Sequence, residues 1–351
     1  MKILIIQQKM IGDVLTSTIL FEAIKEKYPK AELHYLINPN TLPVIKNNSY
    51  IDDVILYTPE VQRSNLKLWH FIRAIRKNEY DVIIDVYSKL SSNLISFLSK
   101  AKTKISYHKK QSLFIYDHNI KRTNHSNKAS GLEISNRLKL LTPLKIYKES
   151  LKPKIYLTKE EIDARKRYLE NNSINFKNPL YMISVLGSSE NKSYPPNFMA
   201  KIIDTIVAET KGQILFNYIP SQLSQAKIVY DFCNTETKKH IHFNIFGGNL
   251  REFLAITKNC DALIGNEGGA INMAKALDIP TFSIFSPWIK KEGWNGFEND
   301  GTHVSVHLKD FNSSLYDNKT QKGIKKEARL FYEAFLPKYF LPLLKKFLKP
   351  N

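Results

Sequence analysis

Three short stretches carry residue types able to act chemically: a carboxylate, a lysine and a pair of glycines, each placed where an apolar run gives way to a turn. The first is QQKMIGDVLTST (7–18), where Gly12-Asp13 sits between the apolar run 3–6 and the helical run that follows. A carboxylate there can cap the helix by accepting backbone N–H groups, or it can take a proton from a substrate hydroxyl. The second, VLGSSENKSYPP (185–196), leaves an apolar run through Ser188 and Ser189 and reaches Lys192, whose ammonium can neutralise phosphate as a point charge. The third, GNEGGAINMAKAL (265–277), opens a helix after the run ALIG (262–265). Gly268 and Gly269 remove side chains where an anion could reach the free N–H groups of that helix start. Glu267 stands in the same turn, and a carboxylate beside a phosphate is unfavourable unless it serves a neighbouring hydroxyl or ring.

The elements that must position these residues alternate along the chain. Strand-like runs occur at 2–6, 31–37, 53–57 and 81–87, with apolar residues at helical spacing in 20–28 and 66–77. Pro29 ends the first of these helices. A second series of strand-like runs occupies 180–187, 213–219, 240–246, 262–265 and 281–285. Strands alternating with helices predict parallel sheets wound by right-handed crossovers, and 351 residues exceed one comfortable core. The expected organisation is an N-terminal Rossmann-like domain over 1–155, a charged linker over 156–178 and a second Rossmann-like domain over 179–324. A helical tail, 325–351, would pack back on the N-terminal domain or lie on a membrane. Two doubly wound domains facing across a cleft bring their strand ends, and hence all three stretches, to that crevice.

Composition narrows the partners. A net charge of +19 predicts anionic company: nucleic acid, an acidic membrane surface or a phosphorylated substrate. Part of the excess is local, for 100–128 holds eight Lys/Arg and a single acid, Asp117. That stretch reads either as a solvated loop face or as a binding patch. Neither a helix-turn-helix nor an aromatic RNA-binding strand is present, which argues against nucleic acid. There is no Asp-x-Asp triplet and no His/Cys cluster at zinc spacing, so no metal is expected. The two cysteines, Cys233 and Cys260, read as small buried hydrophobes in a reducing compartment. No signal-peptide core and no run of roughly 18 apolar residues occurs, so the expectation is a cytoplasmic protein, soluble or peripherally membrane-bound.

Taken together, IGDVLTSTILFEAIKEKYPKAELHYL, NEYDVIIDV, VLGSSENKSYPP and FGGNLREFLAITKNCDALIGNEGGAINMAKALDIPTFSIFSP resemble the heptosyltransferase-type glycosyltransferases, family nine. The resemblance runs in the same order from residue 1 to about 290. It implies the two-domain GT-B fold, with acceptor on the N-terminal domain and nucleotide-sugar donor, by default ADP-heptose, on the C-terminal one. It also implies an inverting, metal-independent transfer to a lipopolysaccharide core or related surface glycan, at the cytoplasmic face of a Gram-negative inner membrane. The partners would be the donor, an anionic lipid-linked glycan and the anionic inner-membrane surface. Asp13 matches the family's general base and Lys192 its donor-phosphate lysine. Gly12, Thr16, Ser188, Ser189, Glu267, Gly268, Gly269 and Asn272 are the expected substrate-binding residues. The family usually has an aspartate, a Ser or Thr, a glycine and often a histidine where this chain has Glu267, Gly268, Gly269 and Asn272. Those departures, with the unusual loop NYIPSQ (217–222), leave room for a different nucleotide-hexose donor. A sugar-nucleotide epimerase or hydrolase on the same fold is the alternative in another class.

Overall fold

The run Ile3–Ile6 lies at the centre of a parallel sheet in the computed structural model, which describes residues 1–124, 130–298 and 301–349. These four side chains are fully buried, as expected of a strand covered by helices on both faces. The first sheet contains β1 (Lys2–Ile6), β2 (Glu32–Ile37), β3 (Asp53–Leu56), β4 (Val82–Asp85), β5 (Thr103–Tyr107) and β6 (His118–Ile120). Their order is β3-β2-β1-β4-β5-β6. All neighbours are parallel, with Ile3 opposite both Leu33 and Val82. Helices α1 (Ile11–Ser17) and α2 (Ile19–Lys27) follow β1, and α2 ends with Tyr28 as its C-cap, immediately before Pro29. Next come α3 (Asn65–Lys77), α4 (Leu90–Leu98) and α5 (Leu132–Lys139).

The second sheet is also wholly parallel. It contains β7 (Leu180–Ser184), β8 (Gln213–Phe216), β9 (Ala262–Asn266), β10 (Thr281–Ile284) and β11 (His303–Val306), in the order β11-β10-β9-β7-β8. Helices α6 (Lys159–Asn171), α7 (Pro196–Thr210), α8 (Gly269–Ala276) and α9 (Leu341–Leu348) belong with it. In each sheet the strand order reverses direction once: beside β1, whose neighbours are β2 and β4, and beside β7, whose neighbours are β8 and β9. Ligands of open α/β sheets bind beyond the strand C-termini at these switch points.

The chain divides into two compact units, Met1–Tyr156 with Glu292–Gly296, and Leu157–Lys291 with Phe297–Asn351. Several expectations change here. The segment expected as a linker supplies α6 to the second unit, because Arg251 clamps Glu161 through two 2.7 Å hydrogen bonds and Asn259 Nδ2 donates to the Ile162 carbonyl. The tail, expected on the N-terminal domain or on a membrane, belongs to the second unit. Phe335, Phe340 and Leu344 are fully buried in the second unit's core, the Tyr194 hydroxyl donates to the Phe335 carbonyl, and Lys345 pairs with Glu209 of α7 at 2.6 Å.

The expected strand at 240–246 reduces to one bridge, Ile214 to Ile241. Beyond it the chain turns, and Phe243 packs against Phe216, Tyr218 and Tyr230. The basic stretch 100–128 is not a loop, for it contains β5 and β6, and Lys102 and Lys104 are paired with Asp81 and Asp117. Residues 125–128 of that stretch lie outside the described residues. Lys104 and Ser106 break the apolar run and hid β5, whose Ile105 and Tyr107 are buried. Both cysteines are free and buried. Among the described residues no helix is long and apolar enough to cross a membrane.

Candidate functional site

In the first unit Asp13 lies beyond the end of β1, at the switch point. It occupies the third position of α1 rather than the cap, with Met10 as the capping residue. Its carboxylate is partly exposed, and Oδ1 accepts a 2.6 Å hydrogen bond from Arg137 Nη2. Oδ2 lies 3.5 Å from the Met10 backbone N–H, at the limit of a hydrogen bond. Arg137, on α5, is almost wholly buried. It also donates from Nε to Ser17 Oγ at 3.1 Å and from Nη1 to Glu133 Oε2 at 2.8 Å. Burial works against its charge, but Tyr107, Asp13 and Glu133 more than offset this and leave its pKa raised. Glu133 in turn pairs with Arg122, whose guanidinium stacks 3.9 Å from the centre of the Tyr107 ring.

The neighbouring strand ends complete the surroundings. Tyr87 follows β4, and its pKa is raised by burial and by the Asp13 and Asp85 charges. Lys109 follows β5 and donates to the Ser88 carbonyl at 2.5 Å. Its pKa is lowered by burial and by repulsion from Lys89 and Arg122. A carboxylate therefore stands among several cations at one end of the sheet. Gly12 is in α1 beside Asp13. Thr16, expected to bind substrate, is buried instead, and its hydroxyl donates to the Gly12 carbonyl at 2.7 Å.

In the second unit the expected residues converge on β7 and β9, the strands flanking that sheet's switch point. Lys192 ends a short 3-10 turn, Glu190–Lys192, and its Nζ lies 3.6 Å from Glu267 Oε1. Glu267 is buried with that oxygen lacking a hydrogen-bond partner, and burial raises its pKa while Lys192 opposes the shift. The Lys192 ammonium is also 5.5 Å from the Trp288 ring centre, and the indole N–H donates to the Asn191 carbonyl at 2.8 Å. Asn266, fully buried, ties the β7 and β9 ends together. Its Nδ2 donates to the Ser184 and Val185 carbonyls, and its Oδ1 accepts from Tyr194 N–H.

Two glycines here have steric reasons. A Cβ on Gly187 would lie 2.2 Å from the Lys192 carbonyl oxygen, so only glycine lets the loop fold back to present Lys192. Gly268 has φ +150, a conformation that other residues avoid, and a Cβ there would meet nothing within 4 Å. Open space thus lies in front of the start of α8, where Gly269 is exposed and Asn272 is half-buried. Ser188 is exposed, and Ser189 donates to Asn191 Oδ1 at 2.9 Å.

The sequence reading missed Arg137, Gly187, Asn266 and Trp288. Arg137 left one signal: it shares a helical face with Ile134 and Leu138, both buried, and a cation on an apolar face needs a buried anion. No group of three or more His, Cys, Asp or Glu side chains able to hold a metal occurs among the described residues.

The profile of glycosyltransferase family 9 (heptosyltransferase) matches residues 68–322, and the chain belongs to that family. Over 296 residues it is 23% identical to lipopolysaccharide heptosyltransferase 1 of Campylobacter coli, covering 81% of this chain and 84% of the relative. The solved family 9 glycosyl transferase of Veillonella parvula superposes with TM-score 0.74 at 16% identity, covering 96% and 97% of the two chains. The Escherichia coli ADP-heptose lps heptosyltransferase II superposes with TM-score 0.69 at 15% identity, covering 95% and 99%. The fold is GT-B, and the chain is a glycosyltransferase of the heptosyltransferase type.

Proposed function

We propose that the protein transfers a sugar, by default heptose from ADP-heptose, to an anionic lipid-linked glycan of the lipopolysaccharide core or a related surface glycan, with Asp13 as general base. The observation that carries this reading is the anchoring of Asp13. Arg137 fixes one carboxyl oxygen at the switch point of the first sheet and leaves the carboxylate partly exposed. The names of the relatives, a lipopolysaccharide heptosyltransferase and an ADP-heptose enzyme, support the substrate classes.

The chemistry is a direct displacement. The acceptor hydroxyl oxygen forms a bond to the anomeric carbon while that carbon's bond to the diphosphate oxygen breaks. The hydroxyl proton passes to Asp13, and attack opposite the leaving group inverts configuration. Lys192 and the glycine-opened start of α8 receive the diphosphate and stabilise the charge that develops on it. With those groups present the reaction needs no metal. Glu267 serves a donor hydroxyl. The cations around Lys109 receive anionic groups of the acceptor, and the enzyme works at the cytoplasmic face of the inner membrane.

The test is a thermal-shift screen against ADP-, UDP-, GDP- and CMP-sugars, followed by transfer assays with the stabilising donor. A ligand that binds only the folded state raises its melting temperature. Stabilisation by ADP-heptose with no product on any lipopolysaccharide-core acceptor, but with turnover of donor alone, would favour the epimerase or hydrolase chemistry instead.

A further inference from the structure

Helix α4 is built the wrong way round for a helix facing water. It buries Ser92, Ile95 and Ser96 against the first unit, and exposes Leu90, Leu94, Phe97 and Leu98. Those four lie at spacings of four, three and one, which places them on one side of the helix. Leu90 is 86% exposed and Phe97 53%. Phe114, from the segment after β5, is 77% exposed and meets Phe97 edge to face with ring centroids 6.2 Å apart. Contiguous exposed apolar side chains of this size mark a surface that meets something other than water.

The charge around the patch says what that is. Between Asp85 and Asp117 the chain has six lysines and no acidic residue. Lys100 follows the C-cap of α4, Ser99, and Lys110 opens the short turn leading to Phe114; both are exposed. Lys102 and Lys104 are paired with Asp81 and Asp117. Apolar side chains flanked in the chain by the exposed Lys100 and Lys110 nevertheless fit the headgroup region of an anionic bilayer, where rings enter the acyl boundary and ammonium groups meet lipid phosphate.

The patch is also tied to the Asp13 loop. Ser91, in the first turn of α4, donates to Gln8 Oε1 at 2.7 Å in that loop, while Tyr116 ties the segment after Phe114 to the end of β4 by donating to Asp85 Oδ2 at 2.6 Å. We propose that the exposed face of α4 with Phe114 docks the first unit on an anionic phospholipid bilayer, holding the Asp13 loop where a lipid-linked acceptor emerges. This rests on the lipid-linked acceptor of the proposed function. It also assigns to the first unit the membrane contact that the sequence suggested for the tail.

Sedimentation of the full-length protein with vesicles of phosphatidylglycerol mixed with phosphatidylcholine, and with phosphatidylcholine alone, tests it. Wild type should partition onto the anionic vesicles, less so as salt rises. Phe97→Ser combined with Phe114→Ser should weaken partition about tenfold or more, and Lys100→Glu with Lys110→Glu should remove most of its salt dependence. Unchanged melting temperature verifies folding; if the phenylalanine pair melts early, Leu90→Ser, at the highly exposed first residue of α4, is the readout. Wild type that ignores anionic vesicles, or variants that bind as wild type does, would overturn the proposal. So would self-association abolished by the same substitutions in a protein that does not bind lipid, since that assigns the face to a second copy. Vesicle binding is read without turnover, so its failure is distinct from a failure of sugar transfer, which a water-soluble acceptor fragment reports.

Discussion

Arg137 reaches across 124 residues of sequence to place Nη2 2.6 Å from Asp13 Oδ1. The same guanidinium holds Ser17 and Glu133, so the shortest contact that orients the proposed base comes from a buried side chain on α5 and not from its own loop.

Removing that guanidinium should cost stability. Arg137→Met leaves Glu133 and Asp13 without their buried cation, which we expect to lower unfolding free energy by about 3 kcal/mol, the low end for a broken buried pair because Asp13 is partly exposed. Urea denaturation measures it. A loss below about 1 kcal/mol, the range of surface pairs, would mean that water replaces the arginine without difficulty.

Asp13→Asn keeps the shape and removes the proton acceptor. Turnover should fall by roughly 10²–10⁴, the usual range for losing a general base, while donor binding stays unchanged. Steady-state kinetics with a calorimetric donor titration separates the two. Full turnover would return Asp13 to the role of anchoring the first turn of α1.

Lys192→Ala should weaken nucleoside diphosphate binding and slow transfer together, because charge on the leaving group grows toward the transition state. Gly187→Ala offers an independent check, since its Cβ must displace the Lys192 backbone while the amine is retained. Comparable losses of diphosphate affinity in both variants would tie the loop's shape to its function; unaltered affinity and turnover in both would remove Lys192 from the site.

Glu267 predicts a pH dependence. Burial holds its pKa above the ordinary 4.5, so the folded chain binds this proton more tightly than the unfolded chain does. The stability it lends is therefore complete below about pH 4.5 and declines as pH rises from there through the folded value. Glu267→Gln cannot lose a proton, so its melting temperature should fall less than wild type's between mildly acidic and neutral pH. Parallel melting curves for the two proteins across that window would show that Glu267 does not titrate there.

Lys89→Ala with Lys109→Ala should raise the KM for a water-soluble anionic acceptor several-fold and flatten its salt dependence, with donor KM unmoved. Exposed charges are screened over roughly 8 Å at physiological ionic strength, so added salt should imitate the substitutions. Acceptor kinetics indifferent to both salt and lysine removal would leave these cations a structural role only.

The sequence by itself determined the α/β alternation. Strands buried on both faces are written as unbroken apolar runs, and Ile3–Ile6 or Leu180–Ile183 can be read directly because each residue's side chain is buried. It also placed Asp13, Lys192 and Gly268 at strand-to-helix turns, since glycine and a turn-facing charge are local signals. β5 escaped because Lys104 and Ser106 interrupt the run, and 240–246 misled because alternation shows that one face is buried without showing that a partner strand is available. Only the tertiary structure decided which far residues meet. Arg137 with Asp13, Asn266 with the β7 end and the tail with the second unit's core are products of strand order and helix packing, which bring distant stretches together at contacts no local pattern encodes. The exposed leucines of α4 belong to the same class. A helical pattern shows which residues share a face, and only the packed chain shows which face was left outside.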